Sequence, residues 1–137
     1  MKIEEQRIAR RILTGARDLI GEESAWVQGP MARNRRGHSV ASTSPDACQW
    51  CCLGAIEKTL ATMIRSERSE LLDELTHKGW DVAHDAKEIL RDVINDYTDS
   101  LFEGDIGDFN DSGFTHHADV IHVLNEALFQ LEGEADV

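Results

Sequence analysis

The sequence predicts a mainly α-helical, compact single domain over residues 1–137, with about five helices around a buried central helix at about 45–65 and one small hairpin or extended element at about 25–41. Three observations favour this class. A length of 137 residues suits one hydrophobic core. The hydrophobic fraction of 41% and the charged fraction of 29% are typical of globular domains. Apolar residues also recur with helical spacing over most of the chain.

The N-terminal segment predicts an amphipathic helix over about 3–20, which ends at Gly21. Its apolar stripe consists of Ile8, Ile12, Ala16 and Leu19. The pattern then changes, because Gly29-Pro30 and the stretch 34–37 contain the residues that favour turns. Two short extended pieces around a turn are therefore expected over about 25–41.

The central helix is predicted to begin at Ser44-Pro45-Asp46, where a hydroxyl, a proline and an acid match the preferences of a helix N-terminus. Residues 47–56 are apolar on nearly all sides, which is typical of a buried helix. Gly54 lies inside this run, where glycine costs about 1 kcal/mol relative to alanine. We expect Gly54 to permit the close approach of another element.

Three more helices follow in the prediction. Leu71, Leu72 and Leu75 indicate a short helix that ends near Lys78-Gly79, and a second helix is expected over about 85–96. The stretch 97–114 is rich in glycine and acid, contains no Lys or Arg, and is predicted to be a loop. Thr115 would cap the last helix, which would end at Gly133 before a short acidic tail.

The net charge of −12 is unevenly distributed. Residues 1–68 carry 11 basic and 8 acidic side chains, whereas residues 69–137 carry 3 and 18. This balance argues against direct non-specific binding of nucleic acid or an anionic membrane. It is consistent with a protein partner that has a basic or nucleic-acid-binding groove, or with head-to-tail contacts in a homo-oligomer. In the alternative interpretation, the acidic residues form a solvated surface that binds no partner. Because the first residues do not resemble a signal peptide, we expect a cytoplasmic protein.

Three cysteines, Cys48, Cys51 and Cys52, lie where the central helix is predicted to begin. A helix N-terminus stabilises a thiolate, so Cys51 is a candidate nucleophile with His116 or His117 as its base. The spacing of Cys48 and Cys51 also suits zinc, if a histidine completes the ligand set. The alternative interpretation is that these cysteines are small buried apolar residues, as free cysteines often are.

The stretch 108–119 matches the spacing of a calcium-binding loop. Asp108, Asn110 and Ser112 supply oxygen atoms at positions 1, 3 and 5, a glycine occupies position 6, and Asp119 occupies position 12. In the alternative interpretation, Asn110 and Asp111 stabilise an irregular loop through hydrogen bonds to its backbone. No cofactor is expected under that interpretation, whereas calcium or zinc would bind under the others.

The basic residues Arg33, Arg35 and Arg36 form a patch with His38 at the predicted turn. Guanidinium groups bind phosphate through paired hydrogen bonds, so this patch could hold a phosphate or a nucleotide beside Trp26. Its alternative is a solvated turn. The complete set of ligand-binding candidates is Trp26, Arg33, Arg35, Arg36, Asn110 and Asp111.

Several of these residues also form a recognisable pattern. Trp26 with Gly29, the run 47–56 with its Trp-Cys-x-x-Gly-Ala core, and Phe109-Asn110-Asp111 ahead of Thr115 resemble domain-of-unknown-function family 6197. The resemblance implies a compact, mainly helical protein of bacteria or phages. It implies no activity.

Two functions are consistent with these features. In the first, the chain is a non-enzymatic, acidic binding protein of a phage or bacterium that inhibits or sequesters a host factor, in the host cytoplasm if it is phage-encoded. In the alternative, it is a hydrolase that depends on Cys51 and a histidine, or on a metal held by residues 108–119.

Overall fold

Five α-helices and a three-stranded antiparallel sheet form the structure, a computed structural model that describes the backbone of residues 1–135 and the side chains of residues 1–132. The helices are α1 (Ile3–Leu19), α2 (Cys52–Ser66), α3 (Leu71–Thr98), α4 (Ile106–Asp111) and α5 (His117–Ala135). The strands are β1 (Ala32–Arg33), β2 (Ser39–Val40) and β3 (Gln49–Trp50), in the order β2-β1-β3. The predicted fold class is therefore confirmed.

The hydrophobic core lies between the four long helices. Helix α1 packs against α2, α3 and α5, while α2 packs against α1, α3 and α4. Ile8, Ile12 and Ala16 of the predicted α1 stripe are fully buried, and Leu19 is partly buried. Burial of such side chains is the main stabilising contribution to the fold. The central helix is buried as predicted, and its first turn faces the sheet.

Gly54 confirms the predicted close approach. A Cβ atom at this position would lie 2.0 Å from the carbonyl oxygen of Met31. The same oxygen accepts a hydrogen bond from the Cys51 N–H at 3.1 Å, so its position is fixed. Glycine is therefore required where the segment before β1 crosses the first turn of α2.

The central helix begins later than predicted. Residues 45–51 form a turn and strand β3, because Trp50 and Gln49 pair with the residues of β1. Cys51 occupies the N-cap position, and its Sγ accepts a hydrogen bond from the Gly54 N–H at 3.3 Å. A buried strand followed by a buried helix gives the same continuous apolar run as one buried helix, which explains the wrong prediction.

The predicted helix end at Gly79 is also wrong, since α3 is one helix of 28 residues. Gly79 is buried, and a Cβ atom there would lie 3.0 Å from Cδ1 of Leu60. This glycine lets α2 and α3 pack closely, whereas a glycine that ends a helix usually has a positive φ angle. Gly79 is not among the positive-φ glycines of the described chain.

The predicted loop over 97–114 contains helix α4. Asp105 is its N-cap, and the Asp105 carboxylate accepts a hydrogen bond from the Asp108 N–H at 2.8 Å. The six residues of α4 bury Phe109, whose ring packs edge-on against Phe102 at 5.7 Å. A helix this short has too few turns to produce a detectable period.

Helix α5 begins at His117, so the prediction that Thr115 caps it is wrong. Asp119 stabilises this N-terminus instead, because its Oδ2 accepts a hydrogen bond from the His116 N–H at 2.8 Å. The helix continues through Gly133 to Ala135. The last two residues of the predicted acidic tail, 136–137, lie outside the described residues.

Candidate functional site

A hydrogen-bond network centred on the buried Asn110 joins α4 to α2 and to the segment before β1. We call its residues the Asn110 junction: Trp26, Gln28, Cys52, Asn110 and Asp111. Asn110 is 1% exposed. Its Oδ1 accepts hydrogen bonds from Trp26 Nε1 at 2.8 Å and from the Cys52 N–H at 3.0 Å. Its Nδ2 donates to the Val27 carbonyl at 3.1 Å and to Asp111 Oδ1 at 2.9 Å. The amide thus uses all four of its hydrogen-bonding positions within the protein.

Two further side chains complete the junction. Asp111 Oδ1 accepts a hydrogen bond from the Gly29 N–H at 2.8 Å. Gln28 Nε2 donates to the carbonyl oxygens of Asn110 at 2.9 Å and of Ser112 at 2.8 Å. Asn110 and Asp111 therefore have a structural role, but not the expected one: they lie in α4 and bond to distant segments, whereas the sequence-based alternative expected bonds to the backbone of their own loop. Sequence reasoning missed Gln28, because an isolated glutamine gives no local signal of a long-range contact.

The two candidate catalytic histidines lie in different environments. His117 Nε2 is 2.6 Å from the Ile20 carbonyl oxygen, and its ring lies 5.9 Å from the Trp26 ring. His116 is largely exposed, and its Nδ1 lies 3.6 Å from Asp119 Oδ2. Among the described side chains, neither histidine forms a hydrogen bond with a cysteine.

Burial opposes ionisation of the cysteines at the start of α2. It raises the pKa of the Cys51 thiol and outweighs the hydrogen bonds from the Gly54 and Leu53 N–H groups, which lower it. Burial also raises the pKa of Cys52 to about 12. The sequence argument expected the helix N-terminus to stabilise a thiolate at Cys51. Burial has the larger effect, so the thiol form is favoured at neutral pH. Cys48 belongs to a separate loop and is partly exposed.

The calcium-type loop predicted over 108–119 does not have the expected geometry. Asp108 and Asn110 lie in α4, and Asp119 lies in α5. Ser112 Oγ accepts a hydrogen bond from the Phe114 N–H at 3.2 Å. Within residues 1–132, no three His, Cys, Asp or Glu side chains are grouped as a metal site requires. Metal binding stays a prediction.

The basic patch forms one wall of a cavity of about 620 Å³, which we call the hairpin cavity. Arg35, Arg36 and His38 line this wall, and residues 45–48 line the opposite wall. Arg33 lies beside the cavity on β1 and does not line it. Trp26 belongs to the Asn110 junction, so the structure does not bring it into the cavity with the arginines.

A larger groove of about 1100 Å³ lies between α1 and α2. Four basic side chains, Arg7, Arg10, Arg11 and Lys58, line it together with the carboxylates of Asp18 and Glu132. Arg7 pairs with Glu4 and Arg11 pairs with Glu67, each within 3.2 Å. Hydrogen bonds from Ser69 and Arg11 lower the pKa of the Glu67 carboxyl to about 2. The groove therefore has little net charge to attract an ion.

The C-terminal half of α3, the turn after it and α5 present an acidic surface. We define this acidic face as Asp92, Asp96, Asp99, Glu103 and Glu126 together with the exposed apolar residues Tyr97 and Leu101. Its members Asp96, Tyr97 and Glu126 line a shallow depression of about 210 Å³ between α3 and α5.

The Tyr97 ring is held in place within this face. It lies 4.6 Å from the His122 ring, and its hydroxyl donates a hydrogen bond to Asp119 Oδ1 at 2.7 Å. That hydrogen bond raises the pKa of Tyr97. The His116 N–H and the Tyr97 hydroxyl outweigh partial burial and lower the pKa of Asp119.

No helix in the described part of the chain is long and apolar enough to cross a membrane. Searches of curated proteins and of solved structures gave no match. The profile of a family of unknown function, DUF6197, matches residues 5–129. This match covers the Asn110 junction, the hairpin cavity and the acidic face. The chain therefore belongs to the DUF6197 family.

Proposed function

We propose that this protein is a non-enzymatic interaction protein whose acidic face binds a basic surface on another protein. As a phage or bacterial accessory protein, it would inhibit or sequester a host factor, including one whose basic groove binds nucleic acid. One observation carries this proposal: all five carboxylate side chains of the acidic face are exposed, and the 46 residues after Arg91 contain no Lys or Arg. A surface of one sign attracts and orients a partner of the other sign.

The acidic residues at the C-terminus of α3 are unfavourable for the helix, which supports a role for them in binding a partner. Asp96 and Asp99 lie at the negative end of the helix dipole, and no basic residue occupies the last turn. Each acid there costs about 0.3–1 kcal/mol. These residues reduce the stability of the helix, which is expected when their charge serves a partner.

The turn after α3 adds backbone strain to the same face. Asp99, Ser100 and Glu103 have φ angles of 52°, 61° and 52°, in the left-handed region that non-glycine residues rarely adopt. Such conformations persist only where surrounding contacts hold them. Phe102, packed against Phe109, anchors the turn and leaves its acidic side chains exposed.

Tyr97 and Leu101 give the acidic face its apolar contacts. Their exposed fractions are 45% and 67%. Aromatic side chains dominate the binding energy of many interfaces, and a preorganised ring loses little entropy on binding. The stacking on His122 and the hydrogen bond to Asp119 preorganise Tyr97 in this way.

Thermal denaturation tests whether the acids at the end of α3 oppose stability. The double variant Asp96→Asn/Asp99→Asn should melt a few degrees above the wild type, since it removes about 0.5–1 kcal/mol of unfavourable charge at the helix C-terminus. The matched control Asp73→Asn/Glu74→Gln removes acids from the first turn of the same helix, where they are favourable. It should melt below the wild type. A lower melting temperature for the first variant would contradict the argument.

Crosslinking in a lysate of the bacterium that carries the gene tests the partner. The wild type should capture a basic protein that Asp92→Lys/Asp96→Lys does not capture. The control Glu22→Lys/Glu23→Lys makes the same change of charge at exposed residues before β1 and should retain the capture. If no captured protein depends on Asp92 and Asp96, or if both variants lose it equally, the proposal is wrong.

A further inference from the structure

We propose that the hairpin cavity binds a small phosphate-bearing ligand of the size of a di- or triphosphate or a mononucleotide. This site is separate from the acidic face. Its cationic wall carries the guanidinium groups of Arg35 and Arg36, with the His38 ring beside them, and its volume of about 620 Å³ lies in the range typical of small-molecule sites.

The cationic wall stands on a rigid turn. Asn34 Oδ1 accepts hydrogen bonds from the Arg36 N–H and the His38 N–H, both at 3.0 Å. The Asn34 N–H donates to the His38 carbonyl at 3.0 Å, and Gly37 supplies the positive φ angle of 80° that the turn needs. Because the backbone of this turn is already ordered, binding a ligand would carry a smaller entropic cost.

The opposite wall is fixed to the same hairpin. The Cys48 N–H donates a hydrogen bond to the Arg33 carbonyl at 2.9 Å. Ser44 Oγ accepts a hydrogen bond from the Asp46 N–H at 3.2 Å, which orders the turn that enters this wall. The cavity is therefore bounded by two connected segments of fixed geometry.

The arginines of the hairpin have donors to offer a ligand. Among the residues whose side chains are described, Arg33, Arg35 and Arg36 form no ion pair and no hydrogen bond through their guanidinium groups. Four other arginines pair with carboxylates: Arg7, Arg11, Arg17 and Arg91. Arg10 and Arg65 are also without such a partner among the described residues, but Arg35 and Arg36 differ from them in lining one cavity together. Planar forks of N–H donors match the oxygen atoms of phosphate.

The charge of the whole protein favours a small ligand over nucleic acid. A nucleic acid would extend beyond the cavity and meet a protein of net charge −12. Its affinity depends on many phosphate contacts, which one hairpin does not provide. Asp46 lines the opposite wall, and its negative charge opposes anion binding. Removing that charge should therefore increase the affinity for a phosphate ligand.

Isothermal titration calorimetry with sodium tripolyphosphate tests the proposal. The wild type should bind with one site, and Arg35→Ala/Arg36→Ala should weaken binding by about 10-fold or more, because each charge-assisted hydrogen bond contributes strongly. Arg35→Lys/Arg36→Lys should fall between these values, since it retains charge without the planar fork. Asp46→Asn should tighten binding by about 2- to 5-fold at low ionic strength.

Arg65→Ala is the matched control, because Arg65 is an exposed arginine on α2 outside the cavity. It should bind tripolyphosphate as the wild type does. The variants at 35 and 36 should also keep the wild-type melting temperature, since those side chains are exposed at the turn. An absence of binding, or an equal loss in Arg65→Ala and Arg35→Ala/Arg36→Ala, would overturn the proposal. Stronger binding of a single-stranded oligonucleotide at equal phosphate concentration would overturn the assignment of a small ligand.

Discussion

The Asn110 junction and the hairpin cavity use polar side chains in opposite ways. Asn110 is buried and makes four hydrogen bonds within the protein. Arg35 and Arg36 line an open cavity, and among the described residues their guanidinium groups have no partner. In the sequence both regions look capable of chemistry. If the cavity binds phosphate as proposed, the difference teaches that a binding site is marked by polar groups that line a cavity with unused hydrogen-bonding capacity, whereas the polar groups of a structural connection are already satisfied.

The residues of the family motifs stabilise the fold, as Asn110 does. Gly54 lies in the Trp-Cys-x-x-Gly-Ala run and permits the crossing at Met31. Asn110 lies in the Phe-Asn-Asp motif and joins α4 to the N-terminus of α2. Trp26 donates its indole N–H to the same asparagine. The two short motifs and the tryptophan before β1 therefore meet in one place and hold three segments together.

The largest effect is expected at Gly54. Gly54→Leu should fail to fold, and Gly54→Ala should lower the free energy of unfolding by about 3 kcal/mol, because the added Cβ collides with the Met31 carbonyl. An alanine in a helix normally increases stability by up to about 1 kcal/mol, so the sign of the change is diagnostic. Urea denaturation followed by circular dichroism measures it.

The control for Gly54 is Gly113→Ala. A Cβ atom at Gly113 has no described atom within 4 Å, and this glycine is exposed. The free energy of unfolding of Gly113→Ala should stay within about 0.5 kcal/mol of the wild-type value, as for most surface substitutions. If Gly54→Ala matched this control, the crossing at Met31 would not constrain the fold.

A smaller but still large effect is expected for Asn110→Ala. The substitution leaves the buried Cys52 N–H and Val27 carbonyl without their partner, at a cost of about 2 kcal/mol. Asn125→Ala is the control, because Asn125 is exposed and, among residues 1–132, its side chain accepts a hydrogen bond from Arg17 alone. It should change stability little. Equal stability of the two variants would mean that the junction does not support the fold.

The smallest effect is expected for Trp26→Phe. This change retains an aromatic ring but removes the Nε1–H donor to Asn110 Oδ1. Since that oxygen still accepts from the Cys52 N–H, the loss should be about 1 kcal/mol. In the double variant with Asn110→Ala, the tryptophan substitution should cost less than it does alone. Strict additivity in this double-mutant cycle would contradict a shared network.

The sequence predicted the features that depend on local pattern. The period of Ile8, Ile12 and Ala16 identified α1, and the turn residues around Gly37 identified the hairpin. Strand β3 was not predicted, since its pairing with β1 is a tertiary contact. Gly79 was misread because a glycine that permits close helix packing looks, in sequence, like one that ends a helix.

The candidate sites were predictable only in part. The arginines and His38 were identified because they are close in sequence and share one turn. The role of Asn110 required knowledge of partners more than 50 positions away, such as Cys52. Position at a helix N-terminus suggested a reactive Cys51, but its burial, which follows from tertiary packing, has the larger influence on its pKa.

Peptide mapping of cysteine alkylation in the folded protein tests both sides of the comparison at once. With iodoacetamide at pH 7.5, Cys48 should react, while Cys51 and Cys52 should react only after denaturation, because they are buried and their pKa values are raised. Tripolyphosphate should slow the reaction of Cys48, which lines the hairpin cavity. Rapid labelling of Cys51 in the folded chain would contradict the structural assignment of the junction and favour a cysteine enzyme. Labelling of Cys48 at the same rate with and without tripolyphosphate would contradict the assignment of the cavity.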